Sequence, residues 1–88
     1  MRGSLLIVCL LASLAHADKA ASLTHYDKGK KAYAAGNFAL AAAEFEAAYA
    51  AWNTPEYFHD IGQAYRRLDR CNEAATAFER YLAAKPDA

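Results

Sequence analysis

The residues of this chain best suited to chemistry are few and scattered. His25 and His59 are far apart in the chain, and neither is flanked by Cys or carboxylate at the spacing of a metal-ligand set. Cys71 and His59 could serve as nucleophile and base, but no third group to orient the imidazole and no oxyanion loop accompanies them. Asp27 and Asp60 stand at i and i+33, an offset shared by other residues, which reads as duplicated helix surface rather than a catalytic pair. No glycine-rich phosphate loop occurs. The expectation is a protein that is not an enzyme and that needs no metal or cofactor.

The balance of charge narrows the partners. The 88 residues carry ten basic and ten acidic side chains. The N-terminus has the three parts of a secretory signal peptide: Arg2, an apolar run from Leu5 to Leu14, and the Ala15-His16-Ala17 cleavage pattern. A run of that length rises only about 15 Å as a helix, half of a bilayer core, so no stable membrane anchor is expected. Cleavage after Ala17 would leave a mature chain from Asp18 to Ala88, with nine basic and ten acidic groups. A net charge near −1 offers nucleic acid or an anionic membrane no electrostatic attraction. The style of the signal fits bacterial export to the periplasm or beyond. Cys9 would leave with it, and Val8 before it is too bulky for a lipid-modification site. Cys71 is then the lone thiol, expected as a small buried hydrophobe at a helix start, with an intermolecular disulfide as the alternative.

Four helical segments follow the leader, and no strand pattern does. Residues 18–21 read as a short disordered segment. Ser22 or Thr24 can cap a first helix running to about Ala35, with Leu23, Tyr26, Gly29, Ala32 and Tyr33 near one face. Gly36-Asn37 stops it and caps a second, alanine-rich helix from about Phe38 to Trp52, whose interior candidates are Phe38, Leu40, Ala41, Phe45, Ala48, Tyr49 and Trp52. Thr54, Pro55 and Glu56 suit the N-cap and first turn of a third helix ending near Leu68. Asp69, one of the few non-glycine types that tolerate a left-handed backbone, leads to a fourth helix from Cys71 to Ala84, before Pro86.

The last third also carries Phe58, Ile61, Gly62, Tyr65, Ala74, Phe78 and Pro86, at the spacing F-x2-I-G-x2-Y, A-x3-F and P. That pattern resembles the tetratricopeptide repeat (TPR), from which it departs at Tyr81, normally a small residue. An internal period supports the resemblance: Gly29 and Gly62, Gly36 and Asp69, Ala41 and Ala74, and Phe45 and Phe78 all stand at i and i+33. The first copy, residues 22–54, keeps Gly29, Ala41, Phe45 and Ala48 but departs at His25, Lys28, Ala32 and Asn53; the second spans 55–88. The fold implied is all-α: a signal peptide over residues 1–17, then two TPR helix-turn-helix hairpins forming four antiparallel helices in a short right-handed α-solenoid. A plain four-helix bundle satisfies the apolar spacing as well.

The resemblance implies a protein-protein interaction module whose concave groove holds a peptide or protein partner. Its groove positions fall on Tyr26, Lys30, Tyr33, His59, Gln63, Arg66 and Arg67, and the basic ones among them suit an acidic segment or a terminal carboxylate. The Lys and Asn pair of chaperone-binding members is absent, since those offsets hold Tyr26 with Lys30 and His59 with Gln63. Gly62 is expected to face Ala74 where the third and fourth helices cross. Repeat units bury their faces on one another, and this chain has two with no capping helix recognised after them. Ala75, Leu82 and Tyr81 are therefore expected to lie uncovered unless the chain self-associates there, a partner covers them or the sequence is a fragment of a longer array. A self-associating structural or envelope-assembly subunit is the alternative role.

Overall fold

In the computed structural model, which describes residues 18–85, the sequence closes two successive helical hairpins. The helices are α1 (Lys19–Ala34), α2 (Phe38–Ala51), α3 (Glu56–Arg67) and α4 (Cys71–Ala84). Each packs on the next, α1 on α2, α2 on α3 and α3 on α4. No strand occurs among the described residues. The proposed leader, residues 1–17, and Pro86 lie outside the described residues.

The first helix begins earlier than the spacing predicts. Asp18 is its N-cap and accepts from the Ala21 amide at 2.9 Å, while its own amide donates to the Ala51 carbonyl at 2.8 Å. That second bond ties the start of α1 to the end of α2, so residues 18–21 are a cap and a first helical turn rather than a disordered segment. Ser22 is therefore inside the helix and fully buried, its hydroxyl donating to the Ala48 carbonyl at 2.8 Å and 3.1 Å from the Tyr57 hydroxyl. Thr24 does not cap either; its hydroxyl bonds back to the Ala20 carbonyl.

The two hairpin turns are built alike. Gly36, at φ +83°, donates to the Tyr33 carbonyl, and Asn37 donates to that of Ala32. At the matching place in the second hairpin, Asp69, at φ +60°, donates to Arg66 and Arg70 donates to Tyr65. Both are Schellman endings that satisfy the last carbonyls of a helix. Asn37 then caps α2 through the Leu40 amide. Between the hairpins, Pro55 takes helical angles and Tyr57 donates to the Thr54 carbonyl, so Thr54 serves the turn with its backbone rather than its side chain.

Among the described residues, seven of the ten buried apolar side chains are alanines, which lets the helix axes come close; Phe45, Tyr57 and Ile61 supply the bulk. The closest approaches are at glycines. A Cβ on Gly29 would stand 2.5 Å from the Phe45 ring, and one on Gly62 2.5 Å from the Phe78 ring. Gly62 thus makes room for a phenyl ring from α4, not for Ala74 as expected. Leu23, Leu40 and Trp52, expected on interior faces, are exposed. Cys71, expected to be buried, is also exposed and free at the first position of α4.

Candidate functional site

A groove of about 420 Å³ lies between α1 and α3, floored by Phe45 of α2. Tyr26, Lys30 and Tyr33 come to it from α1, and His59 and Gln63 from α3. Their spacing of three and four positions on each helix explains the shared face. Of the seven residues expected to face a groove, these five line it. The other two stand aside. Arg66 is exposed and donates to the Gln63 amide oxygen at 2.9 Å, and Arg67 lies over the Phe38 ring at 4.4 Å and the Tyr33 ring at 5.9 Å.

Asp60 also walls the groove, at a position that the resemblance does not include. Its counterpart Asp27 is exposed and paired with Lys31 at 3.1 Å, since none of the described helices covers α1 on that side. Asp60 instead faces α1, and burial holds its carboxyl above the usual range, an effect that His59, Tyr26 and Lys30 oppose. Tyr26 is pushed up as well, first by burial and then by the Asp60 carboxylate. The Lys30 ammonium sits 5.0 Å from the centre of the Tyr26 ring, a cation over an aromatic face. The groove therefore offers aromatic walls, one ammonium, one carboxylate and a side-chain amide.

A second cavity, of about 410 Å³, opens between α2, α3 and α4, walled by Tyr49, Phe58, Ile61 and Tyr65. Here the cations and anions are spent internally. Tyr65 donates to Glu46 at 2.7 Å, Arg70 lies over the Tyr65 ring and pairs with Glu73, and Arg80 lies over Phe58. Burial, then the bond to Glu46, pushes the Tyr65 phenol up to about 12. A folded-state value above the unfolded one means the native state holds this proton longer. Its contribution to stability is complete below pH 10 and fades as pH rises from about 10 to about 12. Titration followed at the tyrosinate absorbance should show one phenol ionising near pH 12. Glu46→Gln should lower that midpoint only in part, since burial is the larger cause. A Tyr65 midpoint at the ordinary tyrosine value would contradict this.

The other candidates for chemistry stay apart. His25 lies on α1 with Nδ1 2.7 Å from a Glu44 oxygen. Among the described residues no group of three His, Cys, Asp or Glu side chains could hold a metal ion. No helix among them is long and apolar enough to cross a membrane. Comparison with known proteins gives no significant match to any protein-family model, curated protein or solved structure.

Proposed function

We propose that this chain is a TPR-like binding module that holds an acidic segment of a peptide or protein partner in the groove between α1 and α3. The observation that carries the reading is the meeting of Tyr26, Lys30, Tyr33, His59 and Gln63 on one groove. The recurrence of the Schellman turns and of the glycine-on-phenyl contacts at one offset supports a duplicated hairpin unit. Lys30 supplies charge within the groove, and Arg66 and Arg67 supply it at the edge, where a guanidinium can grip a carboxylate with two parallel bonds. Asp60 offers a carboxylate acceptor beside Tyr26, so a peptide backbone with N–H donors suits the site better than a bare polyanion. Residues 1–17 act as the export signal in this reading, which puts the module in the periplasm or outside the cell.

Peptide display sorted by charge tests it. Acidic peptides should be enriched, and Lys30→Glu with Arg66→Glu should weaken the best of them at least about ten-fold, more at low salt than at high salt. Tyr33→Ala with Arg66→Ala should abolish capture of the same peptide. Enrichment that ignores charge, or binding untouched by these changes, would place the interface elsewhere. The second reading, a self-associating subunit, is favoured by one observation: Ala75 and Leu82 are exposed on α4.

A further inference from the structure

The aromatic clusters of the two hairpins draw their third ring from different places. In the first hairpin, the Tyr26 ring of α1 is 5.6 Å from Phe45 of α2 and 5.0 Å from Tyr57, which α3 contributes. In the second, His59 and Phe78 take the places of Tyr26 and Phe45, with their rings 5.9 Å apart. Among the described residues, their third ring does not come from a following helix. It is Tyr81, on α4 of the same hairpin, 5.4 Å from His59.

One offset accounts for the exchange. Ala48, with 0 % exposure, leaves room at the inner junction for Tyr57, which is only 7 % exposed and shares a hydrogen bond with Ser22. The counterpart of Ala48 at i+33 is Tyr81. The small side chain leaves a seat that the next helix fills, and the large one fills the seat from its own helix. The ring is also fastened. The Lys85 ammonium lies 5.4 Å from the Tyr81 ring centre and 3.2 Å from the Glu56 carboxylate, tying the end of α4 to the start of α3.

From this geometry we infer that Tyr81 is a built-in stopper, an internal substitute for a helix that would otherwise pack on the end of the second hairpin. The surface around it is the counterpart of one already occupied. Ala42 is buried and the Tyr49 ring packs at a tilt against Phe58 of α3, centres 4.4 Å apart, whereas Ala75 and Leu82, the equivalent positions of α4, are exposed. The occupant matching that surface is an amphipathic helix of the α3 type, with rings and Ile where α3 has Tyr57, Phe58, Ile61 and Tyr65. The α1 helix of a second copy does not match, because it carries Thr24, His25, Lys28 and Ala32 at those offsets. Head-to-tail stacking of copies is disfavoured for that reason, and an α3-like helix is what Tyr81 excludes.

The test uses the full chain and a labelled synthetic peptide of residues 54–70, which contains α3. Tyr81→Ala should bind the peptide at least about ten-fold more tightly than the wild type, and Tyr81→Phe, which keeps the ring, should behave as the wild type. Equal binding by all three, or no gain in a folded Tyr81→Ala, overturns the stopper. If Tyr81→Ala loses helical content, Tyr81→Leu, which removes the ring and keeps an apolar side chain, carries the same comparison. Loss of the fold in both would make Tyr81 a core residue and equally overturn the inference.

Discussion

Phe45→Ala is expected to leave the protein largely unfolded at room temperature. The ring is 3 % exposed, lies over Gly29 and packs at a tilt against Tyr26. Deleting a buried phenyl costs about 3–5 kcal/mol through lost burial and the cavity left behind. A chain of this size has roughly 3–10 kcal/mol in total to lose. With a core made mostly of alanine, few larger side chains can collapse into the space. Phe78→Ala should cost clearly less, because Phe78 is only half-buried although it repeats the same contact. The difference arises at the junction, where α3 lays Tyr57 over the first cluster. Far-UV circular dichroism with a thermal melt reads both. A Phe45→Ala protein that keeps its helicity and melts within about 5 °C of the wild type would contradict the assigned core, since that shift corresponds to only about 1 kcal/mol.

The four helices and their turns were legible in the sequence because their signals are local: Gly36 and Asp69 take left-handed angles, Asn37 caps, and Pro55 opens a first turn. The start of α1 is signalled locally by Asp18, whose carboxylate caps Ala21, but Ser22 and Thr24 offer the same cap chemistry. The bond from Asp18 to Ala51 that favours Asp18 joins residues far apart in the chain. Ser22 has the composition of a cap but is spent on Ala48 and Tyr57, partners no spacing rule could supply. Residue type points Leu23, Leu40 and Trp52 inward, yet the two described hairpins offer too few neighbours to cover every apolar side chain. Five groove residues were recoverable only through the TPR resemblance, which implies their offsets. Asp60 was not, because its burial depends on which side of α3 receives α1. Where a contact crosses from one hairpin to the other, residues at the repeat offset stop being equivalent, as Tyr81 and Ala48 also show.

Gly62→Leu should lower the melting temperature, and Gly29→Leu should lower it further. At both sites a Cβ alone would lie 2.5 Å from a phenyl ring, so either the ring or the helix must move. Overpacking of this kind costs about 1–3 kcal/mol. Leaving glycine inside a helix returns somewhat under about 1 kcal/mol of propensity, too little to offset it. The two sites differ in how far the ring can yield. Phe78 is half-buried and can tilt toward solvent, whereas Phe45 is pinned beneath Tyr26 and cannot. Shortening the opposing side chain separates this cause from a general loss of helix packing. Gly62→Leu combined with Phe78→Ala should be less destabilising than the sum of the single changes, by about 0.5–3 kcal/mol, the range for residues in direct contact. The new leucine would then occupy space that the ring has vacated. Strict additivity in denaturant melts would mean that Gly62 is small for some reason other than Phe78.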